Sequence, residues 1–150
     1  MDRNRNRYRF LSLWPLPAPP AAVYAALERA EDYPRWWPQV RAVERLDDTT
    51  GVVRIRSVLP YGMTFTARAV RRDPAAGVLE IAMSGDIEGW ARWTVTAHGT
   101  GSLARYDQEV EVTKPLLRRL ALPGRPLFRV NHRLMMRAGH RGLLAHLRTV

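Results

Sequence analysis

From Val40 to Thr113 the sequence keeps a period of two, and only one later segment, Pro126 to Val150, is long and amphipathic enough to cover the sheet that such a period builds. A strand over Val40 to Leu46 leads through the turn Asp47-Asp48-Thr49-Thr50-Gly51 into a strand over Val52 to Leu59. Pro60-Tyr61-Gly62 turns the chain, and Met63, Phe65, Ala67 and Ala69 then alternate with Thr64, Thr66 and Arg68. Asp73 to Gly77 is a further turn. Leu79, Ile81 and Met83 alternate with Glu80, Ala82 and Ser84, and Ser84-Gly85-Asp86 turns again. Ile87 to His98 and Leu103 to Thr113 are long strands joined by a Gly-rich hairpin. A meander of this kind has one face to bury, and the terminal helix is the element left to bury it.

Upstream, Tyr8 to Trp14 reads as a first strand. Pro20 suits the first turn of a helix over Ala21 to Ala30. Asp32 to Pro38 is a tight turn or short helix bounded by prolines. Its adjacent Trp36 and Trp37 point in different directions, one pinning the helix to the sheet and the other reaching the cavity mouth. Lys114 to Gly124 is either the start of the last helix or a separate turn, with a break at Pro123-Gly124. The whole is one α+β domain over residues 1–150, with residues 1–7 a flexible basic tail.

On a helical wheel Leu127, Leu134, Ala138 and Ala145 fall on one line, flanked by Phe128, Asn131, Met135, Gly139 and Gly142. Arg129, Arg133, Arg137, Arg141 and Arg148 gather on the opposite side, which makes a buried stripe backed by a solvated basic face. Each glycine costs about 1 kcal/mol against alanine inside a helix. Small residues on that stripe either admit a second backbone or leave room for a ligand.

Composition narrows the function. The 150 residues contain no cysteine, so disulfides, cysteine-based zinc sites and thiol chemistry are excluded. Nothing approaches the ~18 uninterrupted apolar residues of a membrane span. Arg3, Arg5, Arg7 and Arg9 before Phe10 to Trp14 have the order of a signal peptide, but the apolar run is short and broken by Pro15, Pro17, Pro19 and Pro20. A cytoplasmic location is expected. The formal net charge of +10 can draw a protein to nucleic acid or an anionic membrane, although arginine-rich composition also accompanies GC-rich genomes.

Pro20 to Leu27 followed by Tyr33-Pro34-Arg35-Trp36-Trp37-Pro38, and at the other end Arg125 to His132 with Met136 and Gly139, resemble the START-like (SRPBCC) superfamily. The resemblance covers nearly the whole chain and is closest to the polyketide cyclase/dehydrase and lipid-transport group. It implies a helix-grip fold, in which an antiparallel sheet curls around a long C-terminal helix with a hydrophobic cavity between them. Members of the superfamily include cyclases and lipid or quinone binders, so the resemblance marks fold more than chemistry.

The inner face carries Ile55, Met63, Phe65, Ile81, Met83, Trp93, Tyr106, Gln108 and Val110. With Trp37, Asn131 and Met135 they suit a lipophilic pocket with a few polar anchors. We assign Trp37, Ile55, Phe65, Met83, Trp93, Tyr106, Gln108, Asn131 and Met135 to ligand binding. A buried Asn131 amide needs a partner, either a ligand carbonyl or, more in keeping with its setting, Gln108 or a strand carbonyl. His132 has the pKa range of a general acid/base but no carboxylate at helical spacing to orient it, which reads as an edge histidine. Asn131 and His132 are the candidates for catalysis. Asp107, Glu109 and Glu111 fall on the outer face, where cross-strand ion pairs account for them. The histidines have no metal-ligand spacing, the glycines form no phosphate loop and the serines no nucleophile elbow, so no metal and no cofactor is expected.

Three functions remain: a binding protein for a lipophilic small molecule, a polyketide cyclase/dehydrase-type enzyme, and a basic-surface module for RNA or an anionic membrane. Exposed Trp36 and Trp90 would favour the last.

Overall fold

The computed structural model describes residues 7–56, 62–113 and 125–149. Seven strands form one antiparallel sheet: β1 Arg7–Leu16, β2 Val40–Arg45, β3 Thr50–Ile55, β4 Met63–Asp73, β5 Val78–Gly85, β6 Ile87–His98 and β7 Gly101–Val112. Helix α1 covers Pro20–Glu28, a 3-10 turn Ala30–Asp32, helix α2 Tyr33–Trp36, and helix α3 Arg125–Leu147. This is the helix-grip α+β architecture. The strand order β1-β7-β6-β5-β4-β3-β2 places the first strand beside the last. Only β2 to β7 therefore meander. Helices α1 and α2 carry the chain from one sheet edge to the other.

The sequence boundaries shift in places. Strand β1 begins at Arg7, inside the segment expected to be flexible. Strand β3 starts at Thr50 and ends at Ile55, because Thr50 and Gly51 already pair with Arg68 and Ala67 of β4. The expected continuation of β3 and the turn at residues 57–61 lie outside the described residues, as does the expected break at 123–124.

The buried stripe of α3 is rotated by about one residue, roughly 100° on the wheel, from the line through Leu127 and Leu134. Asn131, Met136, Gly139 and Leu143 face inward, while Leu127 and Leu134 are 49% and 42% exposed. The physical reason lies in the glycines. Trp36 and Trp37 of the α2 corner must press against α3, and they do so where side chains are absent. A Cβ on Gly142 would overlap the Trp36 carbonyl oxygen, and one on Gly139 would lie 2.5 Å from a ring carbon of Trp37 and 2.8 Å from Trp14. That contact fixes the rotation of the helix. The two glycines thus admit other parts of the protein rather than a ligand.

Two packed clusters flank the sheet's concave face. One gathers Trp14, Leu16, Val23, Leu27, Trp36, Trp37, Trp93 and Leu143. Trp14 is its hub, with ring centroids 5.4 Å from Trp37 and 4.7 Å from Trp93. The other gathers Tyr8, Phe65, Met83, Ile87, Ala91, Val110 and Val112, with Phe128 of α3 against it.

Candidate functional site: a cavity under the last helix

Between the two clusters lies a cavity of about 480 Å³. Alternation along β3 to β7 supplies its floor through Ile55, Met63, Phe65, Ile81, Met83, Trp93, Tyr106 and Gln108. Helix α3 supplies the roof through His132, Met135 and Met136, and the α2 corner adds Tyr33 and Trp37. Val110, expected on the same face, is buried in the far cluster instead. The mouth opens between the end of α1 and the β2–β3 hairpin. Its rim is polar: Arg45 reaches Glu31 at 3.4 Å and Asp48 at 3.2 Å, and Arg72 donates to the Asp48 carbonyl at 2.8 Å.

The two tryptophans do not diverge as expected. Their rings stack, with centroids 5.5 Å apart and planes 17° from parallel. Their roles still differ. Trp36 lies against Gly142, whereas Trp37 enters the cavity wall and donates its indole N–H to the Met135 carbonyl at 2.9 Å.

The polar groups at the inner end come from β7 and α3. Gln108 Oε1 lies 3.0 Å from His132 Nε2. An amide oxygen only accepts, so the imidazole proton sits on Nε2 and donates to it. The Gln108 amide nitrogen points at Met83 Sδ, 3.6 Å away. The His132 ring stacks on Phe10 at 3.6 Å between centroids. Burial without a carboxylate nearby lowers its pKa to about 4, so it is neutral at physiological pH. His132 does stand at an edge, half-buried between the cavity and the outer groove, but it faces Gln108 rather than open solvent. Burial also pushes the phenols of Tyr33 and Tyr106 above their ordinary range and keeps both protonated. Tyr33 donates to the Leu27 carbonyl at 2.5 Å.

Asn131 is the principal correction. It is buried but is not in the cavity wall, and among the described residues its Oδ1 has no hydrogen-bond partner. Rotation of α3 carries it past the cavity, and His132 takes the place opposite Gln108. Trp37, Ile55, Phe65, Met83, Trp93, Tyr106, Gln108 and Met135 do lie together in the wall. Sequence reasoning passed over Tyr33, whose position just before the proline-bracketed tryptophans was its available signal.

The acids of β7 lie off the cavity wall, although Asp107 is itself largely buried. Asp107 pairs with Arg105, two residues along the same strand, at 3.0 Å. A cross-strand pair joins Arg92 of β6 and Glu80 of β5, at 2.6 Å. Among the described residues no group of three or more His, Asp or Glu side chains is placed to hold a metal. None of their helices is long and apolar enough to cross a membrane. Trp36 is buried, and Trp90 lies half-buried beneath the Arg92 guanidinium, 4.9 Å from its ring centroid. The exposed stacking platform that a nucleic-acid reader uses is therefore not built from them.

A curved sheet gripping one long helix over an apolar cavity defines the START-like class. The sequence model described as "Polyketide cyclase / dehydrase and lipid transport" matches residues 16–138, and the chain belongs to that family. No curated protein sequence matches it. Among solved structures it is similar to TTHA0849 from Thermus thermophilus, with a TM-score of 0.72 at 19% identity over 93% of this chain and 98% of that one. A START superfamily protein from Mycobacterium smegmatis gives 0.72 at 16% identity over 95% and 97%. The Zhui aromatase/cyclase from Streptomyces sp. R1128 gives 0.68 at 15% identity over 95% and 93%. Similarity at these identities carries the fold and leaves the activity to be argued from the site.

Proposed function

We propose that this protein binds a lipophilic small molecule in the cavity between the sheet and α3. The observation that carries the reading is the wall itself: aromatic and thioether side chains, with a neutral polar pair at the inner end. Trp37, Phe65, Trp93, Tyr106 and Met135 give an apolar ligand its contact area, and Gln108 with His132 gives it a polar anchor. Among the described residues the inner-end lining of Met83, Tyr106, Gln108, His132 and Met135 is uncharged, so the anchor selects a hydroxyl or carbonyl over an ionised group. The polyketide and quinone-like classes fit this chemistry as well as lipids do.

The Gln108–His132 pair also supports a second reading, a cyclase/dehydrase-type enzyme. Such chemistry needs an acid or base beside a carbonyl held in position. An imidazole whose pKa lies near 4 is available as a base at neutral pH but is a weak one, since proton transfer is most effective when the pKa lies near the working pH. Binding therefore ranks ahead of turnover.

The test fills the cavity. Ala67 lines it from β4, half-buried against the cluster of Phe65 and Met83. Titration with the neutral fluorophore N-phenyl-1-naphthylamine, read by energy transfer from Trp37 and Trp93, is expected to saturate. Ala67→Phe is expected to weaken binding at least tenfold, a cost of about 1.4 kcal/mol, while the thermal transition stays in place. Equal binding by both proteins would place the probe elsewhere and defeat the proposal.

A further inference from the structure

The positive charge of this chain is segregated. Residues 10–111 carry eleven arginines against thirteen Asp and Glu, whereas residues 112–150 carry nine Lys and Arg and no acid. The excess that makes the formal net charge +10 thus comes from the chain's two ends, and mostly from the region of the last helix. Arg129, Arg133, Arg137 and Arg141 stand exposed on α3, and none forms an ion pair among the described residues.

Apolar side chains are set among these cations. Leu127, Val130 and Leu134, spaced three and four residues apart, are 49%, 46% and 42% exposed. On β1, an edge strand of the sheet, Leu11 and Leu13 are 57% and 54% exposed. A groove of about 420 Å³ runs between the two elements, lined by Leu11, Leu13, Arg129, Arg133 and Arg137 among others. Arg9 of β1 stands opposite Glu109 across the ladder, so the unmatched charge belongs to α3.

An acid-free face that mixes guanidinium groups with protruding leucines matches an anionic bilayer in both respects. Phosphates take the arginines, and the acyl boundary takes the leucines. Nucleic acid would use the charge but not the leucines. We propose that the outward face of α3, with Leu11 and Leu13 beside it, docks this protein on anionic lipid bilayers. The inference does not depend on what the cavity holds. It would nevertheless set the helix that roofs the cavity against a store of lipophilic molecules.

The experiment is vesicle co-sedimentation of the full chain. Vesicles of phosphatidylglycerol and phosphatidylcholine are compared with pure phosphatidylcholine at low and high salt. The wild type is expected to pellet with the anionic vesicles alone, and less at high salt. Each basic residue near such a surface is worth roughly fivefold in binding, so Arg133→Glu with Arg137→Glu should lose well over tenfold. Val130→Ser with Leu134→Ser should lose severalfold and keep the salt dependence. Arg54→Glu with Arg56→Glu, exposed on and just after β3, makes the same change of charge and should lose less than twofold. Thermal melting confirms that each variant is folded, and the two α3 pairs fail independently. The proposal is overturned if the wild type stays in the supernatant at low salt, or if the β3 control loses as much as the helix variant. Tighter binding to double-stranded DNA, unaffected by removal of the leucines, would overturn it in favour of nucleic acid.

Discussion

His132 shows what a single side chain does in this fold. It closes the inner end of the cavity, stacks on Phe10 and holds Gln108 in one orientation. Its cost appears on acidification. In the open chain a histidine titrates near 6.5, and here it titrates at about 4. Between those values the unfolded chain binds more protons than the folded one, so stability rises with pH across that window and falls as acid is added. The protein is therefore expected to lose on the order of a few kcal/mol between about pH 6.5 and pH 4. Urea unfolding at several pH values should show this loss, and His132→Gln should flatten it. Parallel pH profiles for the two proteins would mean that His132 is not buried neutral. Nothing in the sequence around His132 declares this environment. Phe10 and Gln108 reach it from β1 and β7, and pairing over such distances leaves no local pattern.

At the scale of elements, the contact between the α2 corner and α3 orders the rest. Replacing Gly142 by alanine should gain about 1 kcal/mol of helix propensity. The new methyl group would overlap the Trp36 carbonyl, which is backbone and has little room to give. Overpacking of this kind costs about 1–3 kcal/mol, so the net change should be destabilising, measured as a lower urea midpoint with an unchanged slope. A variant as stable as the wild type would show that α3 can rotate away from the corner. The strands were readable because alternation holds within most of β3 to β7 and parity places side chains on a known face. The rotation of α3 was not readable. Leu127 and Leu134 look like core on a wheel, and only the tryptophan corner, remote in sequence, shows that the helix turns its glycines inward instead. The same error moved Asn131 into the expected site and left out the pairing of His132 with Gln108.

For the molecule as a whole, the pairing of β1 with β7 and the crossing of α1 and α2 turn an open meander into a grip around one helix. The family stretches at both ends of the chain made that architecture legible, and alternation made most of the cavity floor legible. Cavity volume was not legible, because it depends on how far two aromatic clusters stand apart. The central claim is that the space between them holds a lipophilic molecule. Native mass spectrometry of freshly purified protein, followed by solvent extraction, tests this most directly. The expected result is a stoichiometric adduct that extracts into organic solvent and is diminished in Ala67→Phe. A protein that carries no adduct, and acquires none when mixed with lipid and polyketide extracts of its host, would contradict the account.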